Sequence, residues 1–305
     1  MNRLLAAVLA SLVVLSSLPS SAFACACGCG VFEVQTGAML PNKTGGVAFL
    51  EYDYTNQNKN WAGAHRASDD ANGDKRIATH YATAGVQYML SRSWGFRFEL
   101  PYWQRRFVKA NDDDGSIGTF DHGSVGDIRV RGIYTGLSED MSTGLTFGLK
   151  LPTGDYSAAN FDRDTQIGSG STDLLLGAYR MGVLAPEFGW FASAQYGQPM
   201  LTTAGYRPGA EVGGAAGVYY DGFRPGGVLV APLAQAIASN RWSDSGTASN
   251  SQASGYRRIL LGPGLEAAAG AWRGDVSVGL PVYQYTTGNQ LVAEQFYRAA
   301  VSWTF

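Results

Sequence analysis

The sequence predicts an all-β chain: a transmembrane antiparallel β-barrel of about 12 strands, with a short Cys-bearing N-terminal tail. Three observations lead there. Hydrophobicity alternates with period 2 along most of the 305 residues. The connections alternate long and short. After an N-terminal export segment, no apolar run approaches the ~18 residues of a membrane helix. Composition agrees. Charged residues are 16% and Gly numbers 40, against roughly a quarter charged in a typical soluble domain. A net charge of -2, from 23 basic and 25 acidic residues, gives a nucleic-acid partner no electrostatic support.

Residues 1–24 read as a signal peptide. Arg3 is the basic start, Leu4 to Leu15 the apolar run, and Ala22-Phe23-Ala24 the small-x-small cleavage site. The mature chain then begins at Cys25. Residues 25–43 form a Cys-rich tail or plug, and 44–305 the barrel. All three cysteines lie in Cys25-Ala-Cys27-Gly-Cys29. Thiolates at this spacing suit a soft metal, Cu(I) or Zn. A disulfide or redox role and lipidation of Cys25 are the competing readings, beside no specific role. The preceding Ala22-Phe23-Ala24 lacks the Leu expected before a lipidated Cys.

Twelve strand-like segments follow: 45–56, 78–90, 94–107, 123–135, 142–152, 171–182, 188–199, 208–220, 226–239, 256–268, 272–285 and 291–305. Leu145-Thr-Phe147-Gly-Leu149-Lys-Leu151 is typical, with large apolar residues on one face only. The long connections, 57–77, 108–122, 153–170 and 240–255, are rich in Asp, Asn, Gly and Ser. The short ones are 91–93, 136–141 and 270–271. Outer-membrane barrels have such short periplasmic turns and longer outer loops, with an even strand number. Both termini then fall on the periplasmic side, in the outer membrane of a Gram-negative bacterium.

Charge is costly in hydrocarbon, so the charged face of each strand points inward. That assigns Glu51, Asp53, Arg97, Glu99, Asp127, Arg129, Arg131, Lys150, Asp173, Glu211, Glu266, Arg273, Asp275, Glu294 and Arg298 to the lumen. Both signs occur in similar number. They form either an ion-pair network filling a narrow barrel or the lining of a selective conduit, and twelve strands keep any pore narrow. Inward glycines at 85, 148, 177, 213 and 279 relieve crowding. Tyr and Trp near strand ends fit two interfacial girdles: Tyr52, Tyr54, Tyr88, Trp94, Tyr102, Tyr134, Trp190, Tyr196, Tyr219, Tyr220, Trp272, Tyr283, Tyr285 and Trp303. In the last segment Tyr297, Val301, Trp303 and Phe305 share one face, the pattern the barrel assembly machinery recognises.

Three stretches carry a family likeness: Gly123-Ser-Val-Gly126-Asp127, Leu149-Lys-Leu-Pro152-Thr153-Gly154-Asp155, and Gly168-Ser-Gly170-Ser-Thr-Asp173. In order and spacing they resemble a family of outer-membrane transporters named for the meta-pathway of phenol degradation. The resemblance implies a barrel and passage of aromatic or hydrophobic small molecules. It supplies neither catalytic residues nor the Cys cluster. Asp127 and Asp173 face inward within reach of Arg129, Arg131 or Arg97, and a structural role is expected for them.

No enzyme is expected. His65 and His122 fall in long loops, His80 near the outer end of a strand, and no G-x-S-x-G occurs. The loop acids Asp69, Asp70, Asp74, Asp112, Asp113, Asp114, Asp162 and Asp164 match no calcium loop and read as solvated. The expected function is a passive outer-membrane channel for small, aromatic or hydrophobic molecules. Its expected partners are membrane lipid, the assembly machinery and a small solute. The alternative is soft-metal handling at Cys25, Cys27 and Cys29, with the barrel as anchor. No cofactor is expected beyond that possible metal.

Overall fold

The computed structural model describes residues 40–41, 43–69, 72–111 and 115–305. Within them one antiparallel sheet carries thirteen strand elements: β1 Gly45–Gly63, β2 His65–Arg66, β3 Asp74–Met89, β4 Trp94–Ala110, β5 Ile117–Val125, β6 Arg129–Tyr134, β7 Thr143–Lys150, β8 Ser171–Ala185, β9 Phe188–Thr202, β10 Glu211–Tyr220, β11 Leu229–Arg241, β12 Tyr256–Ala269 and β13 Trp272–Thr304. The sheet closes where β13 pairs with β1. At that seam Gly46 N–H donates to Phe305 O, and Phe305 N–H to Gly46 O, each at 2.9 Å. Closure pairs the wall all round, the condition for spanning a bilayer with strands, while β2 and β5 each pair on one side only.

The wall has twelve strands, as expected. β5 and β6 both pair with β4, so they are two pieces of one wall strand, broken at Gly126-Asp127-Ile128. β13 runs antiparallel to β12 up to Thr286 and to β1 beyond it. It reverses at Thr287-Gly288, where Gly288 has a φ of +70°, a conformation open to glycine at no steric cost. The two-residue β2 only extends a hairpin beyond the wall.

Two expected loops are mostly strand. Residues 57–63, 74–77, 108–110 and 117–122 all join the ladders. Their polar side chains mark the end of the lipid-facing band, not the end of backbone pairing. His122 therefore lies in β5 and His65 in β2. The 123–135 segment was expected as one strand, and its break leaves Asp127 free to bind a loop.

The two faces invert the pattern of a soluble protein. Outward residues such as Phe96, Phe98, Leu145, Phe147, Leu261 and Val301 are each about 40–50% exposed, while Glu51, Arg97, Glu99, Arg131, Asp275 and Arg298 are all below 9%. An apolar surface this continuous is a lipid-contact face. Aromatic pairs ring its lower end: Trp94 with Tyr134 at 4.8 Å, Phe188 with Tyr220 at 5.0 Å, and Trp303 with Phe305 at 5.1 Å. Tyr219 departs from the girdle. It turns inward against the apolar cluster that holds Phe191 and Tyr179, because it shares strand parity with Ala215 and Gly217.

Candidate functional site: the barrel lumen

The lumen has two unlike walls. β13, β1, β4, β6, β7 and the start of β8 carry most of the charge, with the uncharged inward face of β3 between β1 and β4. On β4 and β6, Arg97 and Arg131 lie directly opposite, a like-charge pairing that is unfavourable on its own. Glu99 resolves it. Arg97 Nε donates to Glu99 at 2.8 Å, and Arg131 donates to the other carboxylate oxygen. Arg97 also reaches Glu51 at 3.3 Å, with its guanidinium 4.3 Å from the centre of the Phe49 ring. Arg298 contacts Glu51 at 3.0 Å and Asp275 at 4.0 Å. Asp53 follows Glu51 on the same face. Lower down, Arg273 pairs with Glu266 at 3.2 Å.

The three family-like stretches converge on one point. Asp127, at the β5–β6 break, accepts hydrogen bonds from the backbone N–H of Gly154 and of Ser169, both at 3.0 Å. Thr153 donates to Gly126 O and accepts from Ile128 N–H, both at 2.9 Å. The two legs of the β7–β8 connection touch at Gly154 and Gly168. A Cβ on Gly168 would stand 2.1 Å from the Gly154 oxygen, so only glycine permits the approach. Lys150 bridges Asp173 at 2.6 Å and Asp127 at 3.6 Å. Asp127 and Asp173 both neutralise Lys150. Lys150 and Asp173 are cross-strand partners, whereas Arg97 and Arg131 are already held by Glu99.

The latch folds residues 151–170 into the outer half of the barrel. Phe161 packs between Phe107 and His122, with ring centres 5.7 Å away on each side. Arg105, fully buried, donates to Thr79 Oγ1 at 3.0 Å, to Gln166 O at 3.3 Å and to Thr165 O. Lys109 binds Asp162 at 3.0 Å, and His122 lies 3.2 Å from Asp155. The Ser157 backbone N–H holds the Asp155 carboxyl below the usual aspartate range. A second loop, 242–255, joins the first. Buried Asp244 accepts from Tyr206 Oη, Gly209 N–H and Arg241, each at 2.7 Å. The Arg163 guanidinium sits 4.4 Å from the centre of the Tyr206 ring. Between the loops and the wall a vestibule of about 120 Å³ remains, bordered by Trp103, Arg129 and Glu211.

The other wall, β9 to β12, is uncharged through its middle. Its inward residues there are Phe191, Ser193, Gln195, Gly213, Ala215, Gly217, Leu233, Gln235, Ile237, Leu260, Gly262 and Gly264. Glu211, Arg241 and Arg258 stand only at its outer end and Glu266 at its inner end. Leu40 is buried in the apolar cluster on this side, with Tyr179, Phe191, Ile237 and Phe296. A cavity of about 460 Å³ opens at the periplasmic end, bordered by Met181, Phe191, Tyr219, Leu229, Leu233, Glu266 and Arg273.

Parity places the expected lumen residues inward with one exception. Glu294 is outside, its side chain 66% exposed and 3.8 Å from Lys59. Thr55 pairs with Phe296 while Gln57 pairs with Ala293. That bulge puts an extra residue on β13 and turns Glu294 out. Tyr297, Val301, Trp303 and Phe305 are on the outward face as expected. Among the loop acids, Asp74 is buried within β3, and Asp69 and Asp162 are ion-paired to Arg66 and Lys109. Asp74 departs from the solvated reading, whereas Asp69 keeps it, its side chain 71% exposed. Among the described residues no three His, Cys, Asp or Glu lie close enough to hold a metal. Cys25, Cys27 and Cys29 lie outside the described residues, as do the signal peptide, most of the tail, Asp70, Asp112, Asp113 and Asp114. His80 faces outward, its Nδ1 2.6 Å from the Tyr52 hydroxyl. Strand parity from Arg97 already points Arg105 inward. The infolded loop had one sequence signal, the apolar Phe161 and Ile167 in a polar stretch.

The chain has the fold of an outer-membrane β-barrel. It is similar to an outer-membrane channel from Pseudomonas putida F1, with a TM-score of 0.66 at 14% identity over 90% of this chain and 100% of that one. The β domain of the Bordetella autotransporter BrkA matches with a TM-score of 0.52 at 12% identity, over 86% of this chain and 100% of that domain. A more distant match is the monoaromatic hydrocarbon channel CymD, with a TM-score of 0.44 at 10% identity over 86% of this chain and 89% of its own. No family model matches the sequence, and no curated protein matches it.

Proposed function

We propose that the chain is a narrow passive channel of the outer membrane for small, largely apolar molecules, aromatic ones included. The observation that carries this is the two-walled lumen. The charges of one wall are spent on one another, while the facing wall of four strands offers Phe191, Leu233, Ile237 and Leu260 with small residues between them. A solute with an apolar body slides along such a surface without stripping water from a fixed charge. The likeness to an outer-membrane channel supports the same reading. The vestibule above and the cavity below give the path two ends.

In this reading the outward Tyr297, Val301, Trp303 and Phe305 serve insertion by the assembly machinery, and the chain performs no chemistry on its solute. The test is planar-bilayer conductance of the refolded full chain, together with uptake of a small aromatic by cells that express it. Small resolved conductance steps and expression-dependent uptake are expected. Both should persist when Cys25, Cys27 and Cys29 are changed to Ser. A sealed barrel and unchanged uptake would remove the channel reading.

A further inference from the structure

A second cavity, of about 190 Å³, lies at the periplasmic ends of β1, β3 and β13. It shares Arg273 with the cavity of about 460 Å³, yet the two linings differ in charge. Asp221, Glu266 and Asp275 border the larger one, with Arg224 and Arg273. Among the described residues the smaller one is bordered by Lys43, Arg97 and Arg273 and by no acid. The counter-ions stand elsewhere. Arg97 is held by Glu51 and Glu99, neither of which borders this cavity, and Arg273 by Glu266 on the side of the larger one. Arg97 is only 3% exposed, and its Nη1 has no hydrogen-bond partner. Its guanidinium lies 4.3 Å from the centre of the Phe49 ring, which borders the same cavity. Gln87 is the cross-strand partner of Arg97, and its buried amide oxygen is also unbonded. Turned over, that amide presents its two N–H donors instead. Buried polar groups are rarely left in this state unless water or a ligand completes them. Lys43 makes no ion pair among the described residues.

We propose that the smaller cavity is a binding site for a small monocarboxylate with an apolar body. The proposal rests on the channel reading above and adds a class of solute to it. Arg97 and Arg273 already balance acids, so Lys43 supplies the unspent charge, and the site matches a single negative one. The arginines contribute N–H donors and Ser302 a hydroxyl, all suited to carboxylate oxygens. Phe49, Met89 and Val47 take the body. The volume lies below the range of drug-sized pockets, so the ligand is small. An uncharged analogue leaves the cations unmatched, and an ammonium in its place is repelled by them. Arg273 borders both cavities, so a carboxylate arriving from the larger one meets it on the way.

The test compares benzoate, benzyl alcohol and benzylammonium, which share one ring and differ in charge. Each is titrated against the full chain in uncharged deuterated detergent at pH 7.5 and followed by ligand-observed NMR. Benzoate is expected to bind about tenfold more tightly than benzyl alcohol, the effect of a hydrogen bond made to a charged group. Benzylammonium should bind weakest of the three. Lys43→Gln should cut the benzoate preference to about threefold or less, as removal of a partly exposed charge does. Arg273→Gln made together with Glu266→Gln removes a lining cation without stranding its acid, and should also lower benzoate affinity while benzyl alcohol is unaffected. Equal binding of benzoate and benzyl alcohol by the native chain overturns the proposal, as does tighter binding of benzylammonium, or undetectable benzoate binding. A preference that stays whole in both folded variants overturns it too. The native-chain comparison decides the matter even where a variant fails to fold. Conductance measured on the same preparation separates the two readings. An open channel without the preference removes the carboxylate site alone, and a closed barrel that keeps the preference removes the channel and leaves the site.

Discussion

The two walls of the lumen solve the same problem, filling a narrow barrel, in different ways. The β13–β1–β4–β6 side fills space with long charged side chains that hold one another: Glu51, Arg97, Glu99, Arg131 and Arg298 form one connected set. The β9–β12 side fills it with Phe191, Ile237 and Leu260, and keeps Gly213, Ala215, Gly217, Gly262 and Gly264 between them. The first arrangement is stiff and expensive to disturb, because each ion depends on its neighbours. The second lays side chains over glycines, Phe191 over Gly217 and Gln235 over Gly262, with no ion to strand. Stability should therefore be concentrated on one side and passage on the other.

The sharpest way to break that contrast is to remove a charge from the network. Glu99→Gln leaves Arg97 and Arg131 facing each other in a buried site, and should cost about 3–5 kcal/mol. Ile237→Val on the other wall should cost only about 0.5–1.5 kcal/mol. Urea unfolding of both variants in lipid vesicles measures the difference, and equal losses would erase the distinction. Next comes a charge placed where none exists. Ala215→Glu should lower uptake of a small aromatic by roughly tenfold, since the solute must now pass a desolvated carboxylate, while the folded barrel still forms. A third change acts on the infolded loop. Asp127→Ala removes the acceptor for Gly154 and Ser169, and should raise single-channel conductance on the order of two-fold in so narrow a bore. The smallest effect is expected outside. Glu294→Gln breaks only an exposed pair with Lys59, and should shift stability by about 0–1 kcal/mol.

The contrast was partly legible from the amino-acid sequence. Period-2 alternation is local, so it delivered the twelve strands and the inward face of every expected lumen residue except Glu294. It failed where one residue was added. The β13 bulge reverses parity at Glu294, and nothing in Ala-Glu-Gln-Phe announces a bulge. Strand ends beyond the lipid band were also misread, because polar residues at 57–63 and 117–122 look like loop once no hydrocarbon demands an apolar face. The latch was present as three family-like motifs, but that Asp127, Gly154 and Gly168 meet depends on a loop folding across several strands. The uncharged wall was visible only by omission, as four successive strands whose middles carry no charge.

In the channel reading, solute passes along the uncharged wall. Leu233 borders the cavity on that wall, so the most direct measurement is a Leu233→Cys barrel with Cys25, Cys27 and Cys29 changed to Ser. Single-channel current is recorded before and after a small charged thiol reagent. The structure predicts rapid modification and a stepwise fall in current. Current that stays unchanged after mass spectrometry confirms the modification would contradict it.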